Sequence, residues 1–564
     1  MRQLGVCLVT AMTAVTGAAL LASSPASAAV SRPATASSAT STSTEYIVLQ
    51  DAGSGALAAK AAVEKAGGTV VSENTELGYV VARSSNAGFQ AAVNADRSVV
   101  GAAANRIIGQ APKEQQASQF QVEKLRAAAK AVRHGGGEGA SSEPLADLQW
   151  DMKQIDATKK GSYARQTGSS KVLVGIIDTG VDGTHPDVAP NFSTKLSRNF
   201  VTDMPDIDGP CEVSTCKDPA NEDDDGHGTH VASTIGAPIN GIGIAGVAPD
   251  VTLVNIRAGQ DSGYFFLEPT LEALTYAGDI GVDVVNMSYY VDPWLFNCTS
   301  NPADSPAEQR EQQVIRTATQ RALNYARNKG VLPVSAEGNE STDLNNPTTD
   351  DTSPDYPADA AKLRTVDNSC INVPAESKGV LTVSSTARSL RKAYYSNYGT
   401  EETDIAAPGG DAYDTPTNTL DYTGMILAAY PKSLAVLNGD IDSAGEPTTP
   451  AVVKSCKGKV CAYYQYLQGT SMASPHATGV AALVVSQFGS KDKSGLGLNP
   501  DKTEAKVLKS ATETACPNPR TYHYTIVRST GTTTLDATCE GPKADNGFYG
   551  HGIINALAAV SGKL

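Results

Sequence analysis

The sequence predicts an α/β protein: a mainly parallel sheet flanked by helices, preceded by a small α+β unit. Three observations predict it. Apolar runs such as "KVLVGIIDTGVD" (171–182) lack the alternation of a half-buried strand and read as strands covered on both faces. They alternate with helical patterns, as parallel pairing demands, because each crossover must return the chain to the same end of the sheet. A compact β-α-β-β-α-β alternation, complete before residue 110, stands apart from the rest by a change in texture.

The elements follow in order. Residues 1–28 carry one Arg, then an apolar stretch, then Ala26-Ser27-Ala28, the layout of a secretory signal with a small-residue cleavage site. Residues 29–44 are rich in Ser, Thr and Ala and predict no ordered structure. "EYIVLQ" (45–50) reads as a strand, "GALAAKAAVEKAG" (55–67) as a helix and "TVVSENTELGYVVARS" (69–84) as two strands. "NAGFQAAVNAD" (86–96) reads as a second helix and "VVGAAANRIIG" (99–109) as the last strand. That order over 45–109 is a ferredoxin-like unit. Residues 110–147, with the run "RHGGGEGASSEP", read as a linker or an exposed cleavable segment.

The large domain is expected over 148–564. After the strand ending on Asp178, "HVASTIGA" starts a helix, "VTLVNIRA" is a strand and "LEPTLEALTYAGDIG" a helix. "VDVVNMSYY" is a strand, "EQQVIRTATQRALNYARNKG" a long helix and "VLPVSAEGN" a further strand. In such sheets, active residues gather beyond the carboxyl ends of the strands, where Asp178 and Asn339 fall. Residues 291–313, 340–375 and 410–465 are rich in Pro, Asp and Thr and read as long surface loops.

Composition narrows the partners. Sixty Asp and Glu against 45 Lys and Arg give a formal charge of −15, which disfavours nucleic acid or an anionic membrane as partner. Of nine Cys, Cys7 lies in the signal segment and eight remain, an even number that suits disulfides in an exported protein. The close pairs Cys211/Cys216 and Cys456/Cys461 read as local staples, and Cys298/Cys370 and Cys516/Cys539 follow by elimination. No spacing is C-x-x-C, which argues against zinc.

Three stretches carry chemistry: "IIDTGVDGTHPD" (176–187), "DDGHGTHVAS" (224–233) and "GTSMASPHATG" (469–479). Attack by a Ser hydroxyl on a carbonyl needs a base to take its proton and a carboxylate to orient that base. Ser471, His227 and Asp178 supply these in the chain order Asp, His, Ser. Alone, Ser471 reads as a helix cap before the apolar run "VAALVV". A nucleophile at that position gains the free N–H groups and the positive end of the helix dipole.

Together the three stretches resemble the Asp, His and Ser signatures of the subtilisin-like serine proteases, and "YGHGIINALAAV" (549–560) resembles the family's closing helix. The resemblance covers the chain from about Leu148 onward. It implies a subtilisin-like sheet, an inhibitor-like propeptide over 45–109 that is removed by self-cleavage, and a secreted serine endopeptidase acting on proteins or peptides as a monomer. It makes His227 the base, His230 and His476 structural, and Asn339 in "VLPVSAEGNE" the oxyanion donor beside the Ser471 N–H.

By the same resemblance the substrate lies between "DSGY" (261–264) and "MSYY" (287–290), with Ser262, Gly263, Ser288 and Gly338 matching the family. Tyr290 departs from it, since Gly there usually leaves room for the primary pocket. Glu337 replaces a common Ala; it reads either as a charge favouring basic substrates or as an exposed strand-end residue. No cofactor is required for the chemistry. A structural calcium is implied at Asp187, the Asn240 side chain and the carbonyls of Ile242 and Ile244, oxygen ligands of the right kind; the same stretch reads equally well as a Gly-rich turn. Two rivals stand beside the protease: a catalytically silent peptide-binding relative, and an esterase, which usually carries a G-x-S-x-G elbow that G-T-S-M-A is not.

Overall fold

The computed structural model describes residues 43–108, 139–357, 359–491 and 495–564. The expected signal segment, residues 29–42, residue 109 and most of the expected linker (110–138 of 110–147) lie outside the described residues.

The N-terminal unit contains β1 (Ser43–Gln50), α1 (Ala56–Lys65), β2 (Thr69–Asn74), β3 (Tyr79–Ser84), α2 (Phe89–Asn94) and β4 (Val99–Ile108), in the predicted order. Its antiparallel sheet runs β2-β3-β1-β4. Side chains alternate across a strand, and both faces are used. Val48, Val80, Ala82 and Ala102 pack on Ala62, Val63, Phe89 and Val93 of the unit's own helices. Ile47, Leu49, Tyr79, Val81 and Ala103 point the other way, into a core shared with the large domain.

The large domain begins with α3 (Trp150–Gln154), β5 (Leu173–Ile177), β6 (Arg198–Asn199), α4 (Pro205–Asp208) and α5 (His227–Gly236). It continues with β7 (Thr252–Arg257), α6 (Leu267–Ile280), β8 (Val284–Met287), α7 (Pro306–Asn328) and β9 (Leu332–Ala336). The short pair β10 (Thr349–Asp350) and β11 (Arg364–Thr365) follows, then β12 (Leu381–Thr386) and β13 (Ile405–Pro408). Next come β14 (Ile426–Tyr430), α8 (Lys432–Leu437), β15 (Val452–Lys457), β16 (Val460–Leu467) and α9 (Thr470–Phe488). The main sheet has seven strands in the order β13-β12-β9-β8-β5-β7-β6, every pair parallel.

Helix α9 is buried at every residue from Thr470 to Val485, which explains a sequence apolar or small on all sides. Helix α7 starts at a capping box, Ser305 with Glu308, and at Pro306 in its first turn. Together α6 and α7 carry the N-terminal sheet. Arg310 Nη1 donates to the Val100 carbonyl (3.0 Å), and Arg321 Nη1 to those of Gln50 (3.0 Å) and Leu77 (3.2 Å). The Ala104 N–H donates to Glu311 Oε1 at 3.0 Å.

Four expectations change. Helix α5 begins at His227, a turn earlier than the apolar run suggests, after Gly226 at φ +95°. The closing helix is a single turn, Ala556–Ala559. Residues 291–313 and 340–375 are not merely surface loops, because Trp294 and Phe296 of the first and Arg364 of the second are buried. There Arg364, fully buried, donates to Asp304, Asp350 and Gln312 at 2.8–3.1 Å and stacks over Trp294 at 4.8 Å. The 410–465 stretch contributes most of a three-stranded antiparallel sheet, β14-β16-β15. The four disulfides pair Cys211–Cys216, Cys298–Cys370, Cys456–Cys461 and Cys516–Cys539, as elimination gave.

Candidate active site

Strands β9, β8 and β5 are neighbours, and the residues just past their carboxyl ends are Glu337–Asn339, Ser288 and Asp178. Parallel strands thus bring three distant segments to one edge. Asp178 is fully buried; its Oδ1 accepts from His227 Nδ1 at 2.7 Å and from the Thr179 N–H at 2.8 Å. Two further amides, Ala258 and Gly259, donate to its main-chain carbonyl. The first turn of α5 lies hard against this loop: a Cβ on Gly228 would stand 2.0 Å from the Gly180 carbonyl oxygen. Only glycine lets His227 come so near Asp178.

His227 Nε2 is buried and has no hydrogen-bond partner among the described residues. Ser471, in the first turn of α9, places its hydroxyl on the Ser288 carbonyl at 3.4 Å, while Ser288 Oγ donates to the Ser471 carbonyl at 3.2 Å. Helices α5 and α9 pack on each other, so His227 and Ser471 arrive at the same end of the sheet as Asp178.

Asn339 is oriented through its oxygen. Its Oδ1 accepts from the Thr470 N–H (2.9 Å) and the Thr470 hydroxyl (3.0 Å), which leaves Nδ2 as a buried donor with no partner among the described residues. The Ser471 N–H belongs to the first helical turn, whose amides have no acceptor within the helix. Gly338, at φ +117°, donates its N–H to Thr470 Oγ1 at 3.1 Å. Thr470 was not singled out by the sequence, although it adjoins Ser471.

The remaining candidates divide. His230 Nε2 donates to the Ile426 and Gln465 carbonyls, both at 3.1 Å, and burial pushes its pKa down to about 3. His476 sits between the Met472 carbonyl and Asp151 of α3. Both are structural, as the resemblance implies. Ser262 N–H and Oγ donate to Asp208 of α4 at 3.0 and 2.8 Å, and Gly263 turns at φ +86°. Tyr290 is buried, its hydroxyl donating to Asp355 Oδ2 at 2.7 Å. Glu337 meets neither expectation: fully buried, it accepts from the Thr403 hydroxyl at 2.5 Å, and burial raises its pKa well above the carboxylate range.

The implied calcium residues meet, but as folded they do not fit the ion. Asp187 accepts from the Asn240 amide (3.0 Å), the Ile244 N–H (2.9 Å) and the Tyr464 hydroxyl (3.0 Å). Lys457 Nζ lies 2.6 Å from the Asn240 carbonyl, and the Asn240 Oδ1 is taken by the Ile242 N–H. Donors thus occupy the oxygens of Asp187 and Asn240, two of the four implied ligands. Elsewhere Asp203, Asp218 and Asp261 lie close enough together to share an ion, but Arg257 already bridges Asp218 and Asp261 at 2.7 and 2.5 Å.

A serine at a helix N-terminus, an Asp-oriented imidazole and an unengaged amide donor are the parts that serine hydrolases use. The subtilase family profile matches residues 169–552, and the chain belongs to that family. A thermophilic serine proteinase of Bacillus sp. (strain AK1) is 30% identical over 322 residues, 57% of this chain and 53% of that protein. Subtilisin BL of Lederbergia lenta is 27% identical across 73% of this chain and 98% of its own. The solved epidermin leader peptide processing serine protease of Staphylococcus aureus shares the fold at TM-score 0.59 and 22% identity, over 92% of this chain and 98% of that one. No described helix is long and apolar enough to cross a membrane.

Proposed function

We propose that the protein is a secreted serine endopeptidase that cleaves proteins or peptides through an acyl-enzyme on Ser471 and works as a monomer. The observation that carries it is a pair of buried, unengaged polar atoms: His227 Nε2, on an imidazole bound to Asp178, and Asn339 Nδ2, on an amide held by Thr470 beside Ser471. His227 Nε2 takes the Ser471 proton as Oγ attacks the carbonyl carbon; the Asp178 carboxylate stabilises the imidazolium. The oxyanion accepts from Asn339 Nδ2 and the Ser471 N–H. His227 then returns the proton to the leaving amine, and water repeats the cycle to release the acyl group.

The N-terminal unit is proposed as an inhibitory propeptide removed by self-cleavage between residues 109 and 148. Its broad docking on α6 and α7 supports that reading. Intact mass of the secreted protein and of Ser471→Ala, each with and without a fluorophosphonate, tests the whole. Expected is a shortened wild type that gains one adduct and a full-length variant that gains none. Two proteins of equal length, neither labelled, would overturn the reading.

A further inference from the structure

Behind the loop that carries Asn339 lies a side chain outside the triad and the oxyanion pair. Asn397, on the segment between β12 and β13, is fully buried. Its main-chain N–H donates to the Gly338 carbonyl at 3.0 Å. Its Nδ2 donates to the Glu337 carbonyl at 3.3 Å and to Glu340 Oε2 at 2.7 Å. Its Oδ1 accepts from the Glu340 N–H at 3.1 Å and the Thr342 N–H at 2.9 Å. The Glu340 carboxylate in turn accepts from the Asn339 N–H at 3.0 Å.

These bonds hold the chain on both sides of Asn339. The fit is close: a Cβ on Gly338 would stand 2.3 Å from Asn397 Nδ2. Thr470 fixes the tip of the Asn339 side chain, and Asn397 fixes the backbone from which that side chain springs. No other side chain bonds to as many positions of this turn among the described residues. An amide suits the place because one end must donate to two acceptors while the other accepts from two N–H groups. A carboxylate could only accept, and would meet Glu340 as a like charge.

We propose that Asn397 is a positioning residue for the oxyanion site: it clamps the 337–342 turn so that Asn339 Nδ2 stands where the oxyanion forms. It touches neither Ser471 nor the reacting carbonyl and acts through Asn339. The inference rests on the oxyanion role given to Asn339 above. Donors of this kind work only when held within about 0.5 Å of the productive position. A loosened turn therefore costs transition-state stabilisation while leaving substrate binding nearly intact.

A double-mutant cycle in kcat tests this, with Asn397→Ala, Asn397→Asp, Asn339→Ala and the two doubles. The substrate is the best fluorogenic peptide from a library screened with the wild type, and thermal midpoints are recorded alongside. Asn339→Ala is expected to lower kcat by about 10²–10³-fold, the loss known for removing such a donor from subtilisin. Asn397→Ala and Asn397→Asp are each expected to lower kcat by about tenfold or more with KM within about twofold. In the Asn339→Ala background the same changes should cost less than about threefold, because the donor they position is gone. Losses of equal size in both backgrounds, or losses in KM or thermal midpoint alone, would overturn the clamp while leaving Asn339 its role. An unchanged kcat in Asn339→Ala would overturn that role and the clamp with it. Asn397→Asp keeps the shape of the side chain and serves the test if the Ala variant fails to fold.

Discussion

His227 Nδ1 stands 2.7 Å from Asp178 Oδ1, and the carboxylate is wholly buried. Burial pushes the imidazole towards its neutral form; the Asp178 charge and hydrogen bond more than offset that push, so the His227 pKa rises above its ordinary 6.5. The base must be neutral to act, so the acid limb of kcat/KM should fall above pH 6.5. Asp178→Asn removes the charge that raises it. The limb should move to lower pH, with kcat down by about 10⁴-fold as for that change in another serine protease. A pH–rate profile of both proteins reads the result; an unmoved limb would contradict the coupling.

Much of this architecture is legible in the chain because it rests on local pattern. The strands β5, β7, β8 and β9 read correctly from continuous apolar runs, and the N-terminal unit from its alternation. Asp178, His227, Ser471 and Asn339 each lie in a short, distinctive stretch; parallel strands place Asp178 and Asn339 at one edge, and the packing of α5 on α9 brings His227 and Ser471 to it. The tertiary ties were not legible. Asn397 lies about sixty residues from the turn it holds, inside "SNYG", which reads as an ordinary turn. The fate of Glu337 depends on Thr403 and on burial, which no local pattern encodes. The bonds that Tyr464 and Lys457, on the distant β16 and β15, make to Asp187 and to the Asn240 carbonyl were likewise not legible in the local stretch.

Tyr290 should limit the primary pocket. Its ring is buried and its hydroxyl is tied to Asp355, so moving it aside would break a hydrogen bond at 2.7 Å. Tyr290→Gly is expected to raise kcat/KM for substrates with a large P1 side chain by about tenfold relative to small ones, since pocket contacts are worth about 1–3 kcal/mol. A P1-varied peptide library would measure the ratio; an unchanged profile would place Tyr290 outside the pocket.

Arg364 holds the 291–375 region from within. Its side chain is fully buried between Asp304 and Asp350, and its removal leaves Asp350 buried without its counter-charge and Asp304 with only the Lys362 ammonium at 3.3 Å. Arg364→Ala should destabilise the fold by about 3–5 kcal/mol. Arg364→Lys should recover only part, because an ammonium cannot reproduce the planar fork. Denaturant unfolding in the Ser471→Ala background, where self-digestion is absent, gives both values.

Docking of the N-terminal unit should depend on pH through Glu311. Half-buried, it accepts from the Ala104 N–H, and burial raises its pKa from 4.5 to about 7. A raised carboxyl pKa gives stability that is full below pH 4.5 and is lost as pH climbs through about 7. In the Ser471→Ala background, the thermal midpoint should fall across that window. Glu311→Gln, which does not titrate, should flatten the fall. Parallel slopes for the two proteins would count against the assignment.

The four-stranded sheet at the N-terminus is covered on one face by its own helices and on the other by α6 and α7. A detached unit would carry Ile47, Leu49, Tyr79 and Val81 into water on a bare β surface, and the parent would lose the matching cover over Leu267 and Leu271. The freed fragment would be short of the burial that keeps a domain of its size folded. On the propeptide reading proposed above, such a loosened fragment would be open to cleavage by the enzyme it had left, and its destruction, rather than the first cut, would make activation irreversible.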